Sequence, residues 1–75
     1  MTIANLSERE TRVLLEIING KSNEMIAHQL YISLSTVKAH VSSIIHKLNV
    51  RNRVEAAVKA TQIMLAESQK EQNNN

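Results

Sequence analysis

The chain has 75 residues, which makes it one domain with a modest core. It lacks Cys, Pro, Trp and Phe and has one Gly and one Tyr, which excludes disulfides and cysteine-based zinc sites and favours helices over a sheet. A net charge of +2, apolar runs too short to span a bilayer and the absence of a basic-then-apolar start lead to the expectation of a cytoplasmic protein.

Residues 1–6 read as a flexible lead-in, with Leu6 as a hydrophobic staple. Ser7 to Glu10 has the form of a capping box, in which a hydroxyl and a carboxylate three residues apart satisfy each other's backbone amides. The first helix then runs to about Ile18, with Val13, Leu14, Ile17 and Ile18 on one buried face. Gly20 stands where a left-handed terminus is needed.

Ser22 caps a second helix over about Asn23 to Leu30, with Ile26, Ala27 and Leu30 inward. Tyr31 and Ile32 form a turn, and Ser33 caps a third helix over about Leu34 to Leu48. Its apolar line is Val37, Val41, Ile44, Ile45 and Leu48. The other face reads Ser35, Lys38, Ala39, Ser42, Ser43 and His46. Asn49, a residue that tolerates left-handed geometry, ends it. Asn52 with Glu55 signals a fourth helix from about Arg53 to Ala66. Val54, Ala57, Val58, Thr61, Met64 and Leu65 lie along one side of it, and Glu55 and Lys59 have the spacing of an ion pair. Residues 68–75 read as a disordered polar tail. The domain proper is thus expected over residues 7–67, as a compact all-α fold of four helices around a central helix-turn-helix.

The charges are unevenly distributed. No Asp or Glu occurs from Met25 to Val54, a stretch that carries Lys38, Lys47, Arg51, Arg53 and all three His. A polyanion is drawn to such a segment, although charge alone leaves a solvated basic face that binds nothing as an equal alternative. Two short helices joined by a tight turn, the second polar and basic outside, form a helix-turn-helix candidate over Ser22 to Leu48. On these grounds the chain is expected to bind DNA.

The same residues resemble a known family. Leu6-Ser7-x-Arg9-Glu10, Val13-Leu14, Gly20-Lys21-Ser22-Asn23-x-x-Ile26-Ala27, Leu30-x-Ile32-Ser33-x-x-Thr36-Val37-Lys38-x-His40 and Lys47-Leu48-x-Val50-x-x-Arg53-x-x-Ala56 look like the LuxR/FixJ-type DNA-binding domain, the output half of many bacterial response regulators. The resemblance covers about Leu6 to Leu65. It implies a sequence-specific transcription regulator whose third helix reads the major groove and whose fourth pairs with its twin. Lys38 then occupies the main base-contacting position, and a Lys there donates to guanine acceptors. Ala39 stands where Val is common, and Ser42 where a basic or polar residue is common. Thr36, His40, Lys47 and Arg53 fall where the family approaches phosphates, and Arg51 is a further backbone candidate. Ala57, Thr61 and Met64 are the candidates for the dimer interface, the rest of the fourth-helix stripe being left for the core.

Other readings are weaker. His28 and His46 have no Cys or acid beside them that would complete a metal site, and no serine has a paired base, so neither a metal, a cofactor nor catalysis is expected. Region 4 of a sigma factor has a similar helical core, and a protein-interaction module that sequesters a regulator through the fourth helix is an alternative of a different class. The resemblance implies double-stranded DNA and a second copy of the chain as partners, RNA polymerase as a further one, and a receiver or sensor domain outside these 75 residues.

Overall fold

The computed structural model describes residues 5–72, all four of its regular elements being helices: α1 (Glu8–Ile18), α2 (Asn23–Leu30), α3 (Leu34–Lys47) and α4 (Arg53–Gln72). Most of the lead-in expected over 1–6 lies outside the described residues, as do residues 73–75 of the expected tail.

Every helix start is made by the side chain read for it. The Ser7 hydroxyl accepts from the Glu10 amide at 3.1 Å, and the Glu10 carboxylate accepts from the Ser7 amide at 2.9 Å, completing the box. Ser22 accepts from the Met25 amide, Ser33 from the Thr36 amide and Asn52 from the Glu55 amide, at 3.2, 3.1 and 2.9 Å. Each satisfies one of the amides that a helix start leaves without a partner.

The first three helices also end alike. Gly20, Tyr31 and Asn49 take φ of 81°, 58° and 56°. The residue after each donates back five positions: Lys21 to Glu16, Ile32 to Ala27 and Val50 to Ile45. This wrapped ending satisfies carbonyls the last turn leaves open. At Tyr31 an aromatic residue holds the left-handed conformation, with its side chain 94% exposed.

The core is assembled around α3, which packs against α1, α2 and α4, while α1 also packs against α4. Val13, Leu14 and Ile17 of α1 meet Ile26 and Ala27 of α2, Val37, Val41 and Ile44 of α3, Leu48, and Ala56 and Ala60 of α4. These are all aliphatic, and burial of such side chains supplies the main drive to fold.

Two features of α4 differ from expectation. Its core face is Ala56 and Ala60, with Ile63 half-buried, whereas Val54, Val58 and Leu65 are exposed. The stripe read from spacing therefore faces mainly outward. Ala56 and Ala60 are fully buried because their small side chains allow the helix close to α1 and α3, and larger residues there would hold it off. The helix also continues to Gln72, past the end expected near Ala66 and through residues 68–72 of the expected tail. Glu67, Gln69 and Lys70 are good helix formers, and no Gly or Pro interrupts them.

Candidate nucleic-acid interface

The outward face of α3 is built as the sequence indicates except at Ser43, which the spacing places there but which turns to the Glu10 carboxylate on α1. Ser35, Lys38, Ala39, Ser42 and His46 are all exposed and share one side of the helix. Thr36 is exposed in the first turn, where its hydroxyl lies 2.8 Å from that of Ser33, which also touches the Ser35 hydroxyl at 3.2 Å. His40 is half-buried at the flank. Lys38 has no hydrogen bond or ion pair among the described residues, so its ammonium is presented to solvent.

The other cations of the acid-free stretch are differently placed. Lys47 donates to the Glu10 carboxylate at 2.8 Å, across from α3 to α1. Arg53 donates to the Asn23 side chain at 2.6 Å and to the Lys21 carbonyl at 3.0 Å, tying the start of α4 to the start of α2. Arg51 is exposed but paired with Glu55 at 2.8 Å, and Glu55 also accepts from the Arg51 amide. That pair replaces the one expected between Glu55 and Lys59; Lys59 instead donates to the Leu48 carbonyl at 2.7 Å. Arg51 and Glu55 stabilise each other's charged forms, which raises the Arg51 pKa and lowers that of Glu55. The structure thus brings Lys38, Ala39 and Ser42 together on one exposed face, leaves Thr36 exposed in the first turn, and gives Lys47, Arg51 and Arg53 internal partners.

Two buried carboxylates were missed by sequence reading. Glu10, with 6% of its surface exposed, accepts from Lys47 and from the Ser43 hydroxyl at 2.5 Å while closing the capping box. These donors, Lys47 foremost, hold its pKa at about 2, against an ordinary 4.5 and against the opposing effect of burial. Glu16 lies at the other end of α1. It accepts from Gln29 of α2 at 3.0 Å and from Arg12 at 3.4 Å, with Lys21 at 3.7 Å. Burial opposes its ionisation, but these donors and Asn19 outweigh it and lower its pKa. One signal was available: Glu10, Val13, Leu14 and Ile17 are spaced as one buried face, so a carboxylate there requires partners.

On α4, Val54, Val58 and Leu65 are exposed, Thr61 is exposed and Ala57 and Met64 are half-buried. Ala57, Val58, Thr61 and Gln62 line a shallow, mainly apolar groove with Ile18 of α1. Among the described residues no cluster of His, Asp or Glu is arranged to hold a metal, and no helix is long and apolar enough to cross a membrane.

Residues 4–60 match the family described as "Bacterial regulatory proteins, luxR family". The chain belongs to that family. It is 52% identical over 60 residues to the uncharacterized transcriptional regulatory protein YhcZ of Bacillus subtilis (strain 168), an alignment covering 80% of this chain and 28% of that protein. It is 47% identical over 57 residues to the response regulator protein VraR of Staphylococcus aureus (strain NCTC 8325 / PS 47), covering 76% and 27%. Among solved structures, the response regulator ChrA of a heme-sensing two-component system superposes with a TM-score of 0.76 at 40% identity, covering 87% of this chain and 32% of that one. The chain therefore spans roughly a quarter to a third of the length of these relatives. As a LuxR-family helix-turn-helix domain it is a sequence-specific DNA-binding element of transcription regulation and not an enzyme. The sigma-factor and sequestering-module alternatives give way to that assignment.

Proposed function

We propose that this LuxR-family domain docks α3 in the major groove of double-stranded DNA and reads bases with Lys38, Ala39 and Ser42. The observation that carries the reading is Lys38, the cation on the exposed, acid-free face of α3 that has no internal partner. A lysine so placed donates to guanine O6 and N7, and the Ala39 methyl suits a thymine methyl. Ser42 accepts or donates one helical turn further on.

Phosphate contacts set the register. Thr36, exposed in the first turn of α3, and His40, half-buried at its flank, are two of the phosphate candidates. Arg51 and Arg53 offer a phosphate only the donors their internal partners leave over, and Lys47 is already tied to Glu10. Two domains pair through the exposed side of α4, where Val54, Val58 and Leu65 flank Ala57, Thr61 and Met64. The exposed apolar residues and the groove beside Ile18 support this arrangement. Pairing sets two recognition helices about one helical turn apart on an inverted repeat or on close half-sites.

The relatives named as response regulators extend well beyond the matched segment, which supports a receiver or sensor domain outside it. On this reading that domain controls pairing, and RNA polymerase is the partner at a promoter. The site of action is then the cytoplasm. Selection of sites from random duplexes, with the native chain and with Lys38→Ala, tests the DNA reading. A two-fold motif that relaxes at one symmetric position in the variant supports it. The cost there is about 1–3 kcal/mol of discrimination. Failure to recover any motif at low salt overturns it.

A further inference from the structure

We propose that Glu10 is a positioning residue for the recognition helix, clamping α3 through Ser43 and Lys47, and that Lys47 serves as its counter-charge rather than as a DNA ligand. This rests on the reading of α3 as the base-reading helix.

The geometry begins with the helix itself. At 100° per residue, α3 has three lines spaced by roughly a third of a turn each. One carries Lys38, Ala39 and Ser42 outward. A second carries Val37, Val41, Ile44 and Leu48 into the core. The third carries Ser43 and Lys47, one turn apart, to the same carboxylate on α1. An aliphatic line constrains depth well but rotation and sliding poorly, because dispersion and burial have little directionality. Two hydrogen bonds from successive turns to a fixed acceptor resist both.

The acceptor is fixed in turn. Glu10 sits in the first turn of α1, and its Oε1 also receives the Ser7 amide, so the carboxylate cannot swing with α3. No buried side-chain polar atom among the described residues lacks a partner, so the Glu10 carboxylate is satisfied by these contacts. Lys47 lies on the flank away from Lys38, with its ammonium held at 2.8 Å from the carboxylate. Loosening the clamp leaves the basic surface intact while letting the base-reading side chains move, and contacts of this kind depend on tight placement. The inference therefore separates affinity for any duplex from discrimination between duplexes.

The test uses the 75-residue chain with Glu10→Gln, Ser43→Ala and Lys47→Met, and binding to a selected site and to a random duplex across a range of salt. Measurements are made well below each variant's unfolding midpoint; Ser43→Ala removes one tie only and serves should Glu10→Gln fail to fold. The ratio of specific to non-specific affinity is expected to fall by about tenfold in Glu10→Gln and Lys47→Met, the size of one lost base contact, and by less in Ser43→Ala. The salt slope of Lys47→Met is expected to match the native chain. Two results would overturn the proposal: a slope flattened by about one unit in Lys47→Met, the mark of a lost phosphate contact, or an unchanged ratio in folded Glu10→Gln or, failing that, Ser43→Ala. A native chain with no preference among duplexes would instead remove the DNA reading on which it rests.

Discussion

Single residues divide here into those that face outward free and those held by partners. Lys38 is free, and its loss is expected to touch binding and leave folding alone: Lys38→Ala should shift the unfolding midpoint little, surface changes lying within about ±0.5 kcal/mol, while discrimination falls. Glu10 is the opposite case. Its replacement by Ala leaves Lys47, Ser43 and the Ser7 amide without their acceptor, at an expected cost of about 2–3 kcal/mol by denaturant unfolding. Its titration has a definite sign. The folded pKa lies at about 2, below the ordinary 4.5, so the folded state binds this proton less readily than the unfolded state. The stability it contributes is present above pH 4.5 and is lost as pH falls from there through about 2. Unfolding followed against pH is expected to show a native-chain decline in that window, and a shallower one in Glu10→Gln. Composition and spacing placed Glu10 in the capping box correctly, but a capping role is local. Its partners Ser43 and Lys47 lie 33 and 37 residues away, and only packing brings them to it.

At the scale of elements, local chemistry decides the ends of the helices. Ser7, Ser22, Ser33 and Asn52 start them because each hydroxyl or amide oxygen meets an amide three residues on. Gly20 and Asn49 were legible as endings because both tolerate positive φ, whereas Tyr31 was legible only as part of a turn. A left-handed conformation costs an ordinary residue about 1–2 kcal/mol, and the exposed Tyr31 side chain recovers little of it by packing. Tyr31→Gly is therefore expected to stabilise the domain by a few tenths to about 1 kcal/mol in thermal unfolding, glycine's greater chain entropy offsetting part of the gain. Gly20→Ala is expected to destabilise it by about 1 kcal/mol through the backbone alone, since an added Cβ meets nothing within 4 Å. Within α4, Ala60→Leu puts a large side chain into a site with no free surface, and overpacking of this kind costs about 1–3 kcal/mol.

For the whole molecule, the question is how four helices present the Lys38 face and leave one side of α4 exposed for the proposed pairing. The Arg53 guanidinium joins the starts of α2 and α4, Glu16 joins α1 to α2, and Glu10 joins α1 to α3. These ties join the helix that carries the Lys38 face to the others, so that, under the proposed pairing through α4, the spacing of two recognition helices is set by the fold. Val58→Asp puts a charge in the exposed apolar stretch of α4 without touching the core. It is expected to leave the unfolding midpoint within a degree or two of native, since it alters an exposed site. Sedimentation with duplexes is expected to change from two chains on a full site to one chain on a half-site. Two chains retained on the full site would place the pairing surface elsewhere.

What the sequence by itself determined is what depends on neighbours in the chain: the four helices, their caps and breaks, the outward Lys38–Ala39–Ser42 face and the family. Capping, left-handed endings and helical period act over a few residues, so a linear reading reaches them. The tertiary structure alone decided which side of α4 turns inward and where the cations go. Apolar residues occupy several sides of α4, and the choice fell to Ala56 and Ala60 because close approach to α1 and α3 excludes anything larger. Lys47, Arg51 and Arg53 look alike in sequence as candidates for phosphate. Packing sets Lys47 against a buried carboxylate and Arg53 against the start of α2, because polar groups removed from water must find partners within the fold.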